Sequence, residues 1–400
     1  MKKNKIIIFI FLIFLTISLA SCEYEDIANL ITSNVTTEIS YVEEEEEVEE
    51  EIIIPEDTDD SDEYIIEDET KIYNKYELLA ESLYQYEEDY NELYGYNMLG
   101  EDYKYGALMQ DVYKTFYNDA HNFLASDEDY EIYNESEFSY IIIGKYEFTN
   151  SKYASIIASA WITFIEENPL YYFTYTGYDI ETSGSGDNKT YSFLFVGGTD
   201  YAKAEDRYEA NLALLDLIED FNLEYNNLES KDDYNVALMI HDYICNKISY
   251  AYDEKGNASE EYYAHNVLGL AKYSTGVCEC YAESYLLLSY LTDLNCLIVL
   301  GESGGGGHVW NYVEIDGIWY GVCATWDDGD EIIYDYFLVS SKIMNKAHDA
   351  NDSSSYGIDY QVTLPTLSQS SYDTSLDKDT NTNVMPYPYY PPLMPRIRFR

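Results

Sequence analysis

Basic residues are scarce in this chain. Only 22 lysines and arginines stand against 76 aspartates and glutamates, so the formal net charge is −54. A surface with this charge repels phosphate groups and anionic lipid headgroups. The composition therefore argues against nucleic acid, and against an anionic membrane surface, as direct partners.

Cysteine is also sparse, and its number limits what the thiols do. One of the six, Cys22, ends the N-terminal apolar region, and the other five are Cys245, Cys278, Cys280, Cys296 and Cys323. An odd number leaves at least one free thiol, which suits a nucleophile and does not suit a disulfide scaffold.

Metal sites find little support in the sequence. Cys278, Cys280, Cys323 and His308 could supply four ligands, but Cys-x-Cys spacing at a helix start points its two thiols in different directions. The acidic segments show no loop with the spacing of a calcium site. We therefore predict that the protein has no metal and no organic cofactor.

No apolar run is long enough for a confident membrane helix. Ile6–Leu19 is short and follows Lys2, Lys3 and Lys5, as in a targeting segment. The run ends in Leu19-Ala20-Ser21-Cys22, which resembles the bacterial lipobox. We predict a signal peptide over 1–21 and lipidation of Cys22, giving an extracytoplasmic protein held at the membrane by its lipid; an ordinary secretory signal is the alternative.

Both ends of the mature chain have the composition of disordered segments. Glu43–Glu69 contains 17 acidic residues and no basic one, so like-charge repulsion should keep residues 22–70 extended as a tether. After Asn345 the chain becomes rich in serine, threonine and aspartate, and then in proline and arginine. We predict that 346–400 is a disordered tail.

Between the tether and the tail, the patterns favour an accessory region over 71–200 and a core over 201–345. In the accessory region, apolar residues three to four apart predict a helix around 108–124, and strands are predicted over 140–143, 171–176 and 191–196. Helices are predicted over 153–165, 202–228 and 233–248. None of the accessory motifs carries chemistry.

The core contains a cysteine at a predicted helix start. Cys278 lies in Gly-Val-Cys-Glu-Cys-Tyr-Ala, and apolar residues recur at helical spacing from Ala282 to Tyr290. The unpaired N–H groups and the dipole of a helix N-terminus favour a thiolate. Cys278 is therefore the candidate nucleophile.

A histidine follows on a predicted strand. His308 begins an alternating run that reaches Asp316-Gly317, a dipeptide typical of two-residue type I′ hairpins. This turn would pair Ile315 with Ile318, and its register would pair Trp310 with Cys323 and His308 with Thr325. Cys323 would then be the diagonal neighbour of His308 and could orient the imidazole, which is the candidate general base and acid.

Three ordered motifs carry a resemblance to the transglutaminase-like superfamily of bacterial envelope proteins. The resemblance covers roughly 233–337 and rests on the segments Gly276-Val277-Cys278, Tyr281-Ala282, Gly307-His308, Trp310-Asn311, Trp319-Tyr320, Val322 and Thr325-Trp326-Asp327, with Ile240-His241-Asp242-Tyr243-Ile244 upstream. It implies an α+β, papain-like core in which a helix-borne cysteine packs on an antiparallel sheet that carries the histidine. It also implies a catalytic Cys278 and His308, with Trp310, Asn311 and Trp326 supporting the site or the substrate.

The chain departs from the family pattern at two positions. Cys280 stands where the family has glycine, and Cys323 stands where the family has the aspartate of its triad. A neutral thiol accepts hydrogen bonds weakly, and loss of the triad carboxylate lowers turnover by several orders of magnitude in serine proteases. Asp327 and Asp328 are nearby alternatives for that carboxylate.

The resemblance implies an acyltransferase or cysteine peptidase that acts on amide bonds of proteins or peptides through an acyl-enzyme. The alternative is a catalytically impaired binding module of the cell envelope on the same fold. For the enzyme, the resemblance implies a protein or peptide substrate, whose identity the sequence leaves open.

Overall fold

The computed structural model describes residues 64–65, 72–102, 104–134, 139–329, 331–350 and 362–372, which belong to one compact unit. The predicted signal peptide, Cys22 and most of the predicted tether lie outside these residues. No helix within these ranges is long and apolar enough to span a bilayer.

Nine α-helices are defined within the described residues. They are α1 Lys75–Tyr84, α2 Tyr94–Gly100, α3 Gly106–Ala125, α4 Ala154–Glu167, α5 Ala204–Asn227, α6 Asp233–Lys247, α7 Cys278–Tyr290, α8 Ala324–Asp327 and α9 Ser341–Met344.

Twelve strands are defined in the same part of the chain. They are β1 Tyr64–Ile65, β2 Ile72–Tyr73, β3 Ile132–Asn134, β4 Ser139–Phe148, β5 Thr174–Ser183, β6 Thr190–Gly197, β7 Ser249–Tyr250, β8 Thr275–Gly276, β9 Cys296–Ser303, β10 Gly306–Ile315, β11 Ile318–Val322 and β12 His348–Asp349.

Two four-stranded antiparallel sheets organise the fold. The first has the order β3-β4-β6-β5 and belongs to the predicted accessory region. The second has the order β11-β10-β9-β12, with β9 to β11 in the predicted core and β12 in the predicted tail. One hydrophobic core, which includes Trp161 of α4 and Tyr285 of α7, extends across both regions. The accessory helices therefore support the sheet that carries the candidate site.

The hairpin between β10 and β11 has the predicted geometry. Asp316 and Gly317 have φ values of 53° and 79°, as a type I′ turn requires at both central positions. Ile315 pairs with Ile318, and the register continues to Asn311 and Val322. The predicted pairings of Trp310 with Cys323 and of His308 with Thr325 are wrong, because β11 ends at Val322 and Thr325 lies in α8.

The N-terminal tether and the C-terminal tail contain ordered residues, contrary to prediction. Tyr64–Ile65, in the predicted tether, pairs with Ile72–Tyr73 at the start of the accessory region. In the predicted tail, His348 pairs with Ser303 at the edge of the second sheet. Leu367 packs in a core with Trp310 and Met344 and is 5% exposed. His348 and Leu367 are buried by tertiary contacts that the polar composition around them conceals.

Candidate active site

Cys278 is the first residue of α7, as the sequence predicts. Its side chain is buried, and the backbone N–H groups of Val309 and Glu279 interact with the sulfur. Burial raises the pKa of the thiol to about 12, and the Glu279 carboxylate acts in the same direction. The helix start therefore contacts the strand residue next to His308, but it holds a neutral thiol.

Cys280 fits beside the nucleophile because two glycines make room for it. A Cβ atom at Gly269 would lie 2.6 Å from the Cys280 sulfur, and one at Gly276 would lie 2.5 Å from it. Both distances are shorter than real Cβ contacts. The glycines at positions 269 and 276 therefore leave room for the Cys280 side chain.

His308 lies on β10 and is fully buried. Its face of the strand also carries Trp310 and Tyr312, which pack in a smaller core with Cys323. Val309 and Val313 face the opposite side of the sheet, where α7 packs in the main core. The alternation predicted from the sequence is confirmed.

Cys323 lies beside His308, as the hairpin register predicts. The Cys323 sulfur is 3.3 Å from Nε2 of His308. Cys323 follows β11 directly, and its N–H donates to the carbonyl of Tyr336 as the chain turns into α8. The thiol therefore occupies the place in which the family pattern has a carboxylate.

Burial keeps this part of the site uncharged. It lowers the pKa of His308 well below the usual value, and the neighbouring His348 acts in the same direction. It raises the pKa of Cys323 well above the usual value, with smaller effects from the charges of Asp327 and Cys278. The described arrangement contains a neutral thiol and a neutral imidazole rather than an ion pair.

Asp327 and Asp328 do not replace the family carboxylate. An oxygen of Asp327 lies 3.2 Å from Nε2 of His241, and the same carboxylate accepts the N–H of Tyr336. Asp328 accepts the hydroxyl of Tyr281. His241, for which the sequence favoured a structural role, is fully buried between these groups and Asp242.

The three predicted supporting residues lie on two faces of the sheet. The rings of Trp310 and Trp326 are 5.9 and 5.7 Å from that of His308, so both tryptophans contact the base. Asn311 faces α7, where its amide donates to the carbonyl of Ala282 at 3.0 Å. Asn311 therefore ties the cysteine helix to the strand that carries His308.

A second buried histidine, His348, lies in the site and was missed by the sequence analysis. It is 2% exposed and belongs to β12. Its ring is 5.2 Å from that of His308 and 4.9, 4.5 and 5.1 Å from those of Trp310, Trp326 and Tyr336. Burial lowers its pKa to about 3, although the backbone of Met344 opposes the shift. No motif surrounds His348, and only the edge pairing of β12 brings it here.

Two adjoining cavities run from the accessory region toward Cys278. Their volumes are about 50 and 30 Å³, and they share the walls Ile162, Glu166, Ile298 and Leu300. The smaller cavity is also lined by Glu279 and Val309, whose backbones interact with the Cys278 sulfur.

No protein-family model matches the chain, and no curated protein matches it. Among solved structures, the chain is similar to a TGase at 15% identity with a TM-score of 0.27, over 41% of this chain and 48% of that one. It is also similar to a protein from Cytophaga hutchinsonii described as a cysteine protease, at 16% identity with a TM-score of 0.23, over 37% of this chain and 62% of that one. The chain thus spans less than two thirds of the length of either.

The geometry itself confirms the predicted fold class. Cys278 begins a helix that packs on the inner strand of an antiparallel sheet, that strand carries His308, and the next strand leads to Cys323 beside the imidazole. The protein therefore has the predicted α+β architecture, in which a helix-borne cysteine packs on an antiparallel sheet that carries His308.

Proposed function

We propose that this protein is an extracytoplasmic, transglutaminase-like cysteine enzyme that acts on amide bonds of proteins or peptides. The observation that carries the proposal is the contact between the start of α7 and β10, where the backbone N–H next to His308 interacts with the Cys278 sulfur. This contact supports the proposal that Cys278 acts as the nucleophile and His308 as its base.

The proposed reaction begins from neutral groups. As the Cys278 sulfur bonds to the amide carbon, His308 accepts the thiol proton. Nε2 of His308 lies 3.3 Å from the Cys323 sulfur, so we assign Nδ1 as the atom that accepts the proton. His308 then gives the proton to the departing nitrogen as the C–N bond breaks, leaving a thioester on Cys278. An amine or water next attacks the thioester, which gives cross-linking or hydrolysis respectively.

Cys323 makes this base weaker than its carboxylate counterpart. A thiol cannot stabilise the imidazolium that forms during attack as a carboxylate does. We therefore propose that turnover is slow when a thiol, rather than a carboxylate, lies beside His308. Opening of the glycine turn between β9 and β10, where Gly304 and Gly305 have positive φ values, would give the substrate access to the buried pair.

Amine incorporation and peptide release test this function together. The ectodomain is incubated with a denatured protein mixture and a fluorescent primary amine, and new amide cross-links and new peptide termini are read by mass spectrometry. The proposal predicts products with the wild-type chain and none with Cys278→Ala. Equal product formation by both chains, or none by either, would refute it.

The buried state of the site favours one second candidate, a catalytically impaired binding module. Cys278 is 4% exposed and His308 is fully buried. The thiol of Cys323 also stands where the family pattern has a carboxylate. A binding module requires neither reactive group, so Cys323→Asp should leave its turnover undetectable. A gain in turnover in that variant indicates an impaired enzyme instead.

We further propose that the chain is held at the membrane by lipid on Cys22, in keeping with Leu19-Ala20-Ser21-Cys22. Mass spectrometry of the mature N-terminus tests this placement. A diacylglyceryl group on Cys22 is expected, together with release from membranes in Cys22→Ala. An unmodified N-terminus on a secreted protein would contradict it.

A further inference from the structure

Three potential metal ligands meet on the face of the second sheet that carries Trp310 and Tyr312. They are His308, Cys323 and His348, and one ligating atom of each lies within 4.8 Å of the other two. All three side chains are at least 98% buried. They come from β10, the end of β11 and β12, so the fold rather than any sequence motif assembles them.

The spacing suits a small cation bound by imidazole and thiolate. In a tetrahedral zinc site, bonds of about 2.0 and 2.3 Å place a nitrogen and a sulfur ligand about 3.6 Å apart. Nε2 of His308 and the Cys323 sulfur are 3.3 Å apart. The widest separation between ligating atoms in the cluster must shorten by about 1 Å to reach the same geometry. A change in the side-chain rotamer of His348, on its two-residue edge strand, would supply this movement.

His348 is available for such a role. Neither of its ring nitrogens has a well-formed hydrogen bond within the described residues, although the side chain is 2% exposed. An imidazole that is buried without such a bond loses its hydration, and coordination of a metal ion compensates for that loss. Purely aromatic packing would be served as well by phenylalanine at this position.

The surroundings also fit a cation. The rings of Trp310, Trp326 and Tyr336 enclose His348 and would exclude water from the bound ion. Asp327 lies close enough for its charge to act on Cys323, so a carboxylate offsets part of the positive charge that two neutral imidazoles and one thiolate leave on a divalent ion. Neutral histidine nitrogen and thiolate are the ligands that zinc prefers.

We propose that His308, Cys323 and His348 form a binding site for a divalent thiophilic cation, of which zinc is the natural example. The inference goes beyond the proposed enzymatic function and does not depend on it. The ion would affect that function directly. Bound to Nε2 of His308 and to the Cys323 sulfur, it would occupy the lone pair of the base and the thiol that orients the imidazole. The cation and the acyl-transfer chemistry of Cys278 are therefore mutually exclusive.

Cobalt titration of the purified full chain tests the site without any substrate. After chelator treatment, Co²⁺ should bind once per chain and produce a thiolate-to-cobalt charge-transfer band, which Zn²⁺ should abolish by displacement. Cys323→Ser should remove the band, and His348→Gln should weaken affinity by at least about 100-fold. Cys296→Ser, which alters a buried thiol of β9 outside the cluster, should bind as the wild type does.

Two further variants keep the result independent of folding and of catalysis. Cys323→Asp retains a ligand without sulfur, so it should bind Co²⁺ without the charge-transfer band, and its circular dichroism should match the wild type. Cys278→Ala should retain full binding even if the enzymatic proposal fails. Absence of binding in the wild type, or a charge-transfer band that survives Cys323→Ser, would overturn the proposal.

Discussion

Replacing Cys323 by aspartate should increase the reactivity of Cys278. The Cys323 sulfur is 3.3 Å from Nε2 of His308 and is 1% exposed. A carboxylate at this point would accept the Nε2–H hydrogen bond and would stabilise the imidazolium that forms when His308 takes the thiol proton. The substitution restores the residue that the family pattern has at this position.

The expected gain follows from the difference between a neutral and a charged hydrogen bond. Hydrogen bonds to charged groups contribute about 1.5–3 kcal/mol, against a weak contribution from a thiol. Because about 1.4 kcal/mol corresponds to a tenfold change in rate, the gain should be roughly 10- to 100-fold. Burial of the new carboxylate near Asp327 opposes folding, and we expect a loss of about 1–3 kcal/mol in the free energy of unfolding.

The assay is the rate of Cys278 alkylation by iodoacetamide, followed by peptide mass spectrometry in buffer that contains a chelator. Cys323→Ser is the matched control, since it keeps a small neutral group beside His308 and should not accelerate the reaction. Cys245 and Cys296 serve as internal references because both are buried free thiols of the same chain. An unchanged rate for Cys278 in a folded Cys323→Asp variant would refute the assigned roles of His308 and Cys323.

Three further predictions concern stability. Burial lowers the pKa of His241, but hydrogen bonds to Asp242 and Asp327 outweigh this effect and raise the pKa above its usual 6.5. The resulting stabilisation is present below pH 6.5 and is lost as the pH rises through the raised pKa. The urea concentration at the unfolding midpoint should therefore decrease above pH 6.5, and it should decrease less in Asp327→Asn. Arg207, buried, donates to the backbone carbonyls of residues 126, 128, 201 and 202, so Arg207→Met should lower the free energy of unfolding by at least about 3 kcal/mol, whereas an unchanged value would contradict this network. Leu367→Ala should lower the free energy of unfolding by about 2–5 kcal/mol if the tail segment is anchored as described, and Leu223→Ala, at a position that is 42% exposed, should have little effect.

The sequence predicted the elements whose determinants are local. Cys278 at a helix start follows from helical periodicity. The register from Ile315–Ile318 to Asn311–Val322 follows from the Asp316-Gly317 turn, whose two residues adopt the left-handed conformation that type I′ requires. Two-residue alternation then placed Cys323 beside His308. These inferences needed only neighbouring residues and one turn type.

Features fixed by distant contacts could not be predicted in this way. His348 reaches the site because β12 pairs with β9 over two residues, an interaction between segments 45 positions apart at His348 and Ser303. Leu367 is buried by residues of the second sheet although its surroundings in the sequence are polar. The polar composition around His348 and Leu367 predicted a disordered tail, because burial of one side chain in a polar stretch leaves no periodic signal.

The dependence of Cys278 reactivity on His308 tests the central claim most directly. Alkylation of Cys278 is compared between the metal-free wild type and His308→Gln, with circular dichroism as the check on folding. General-base assistance predicts a rate at least about 100-fold higher in the wild type, and a pH midpoint above the free-thiol value of about 8.5, because burial raises the pKa of the thiol. Equal rates in the two folded proteins would show that the imidazole does not activate the thiol and would contradict the proposed enzyme.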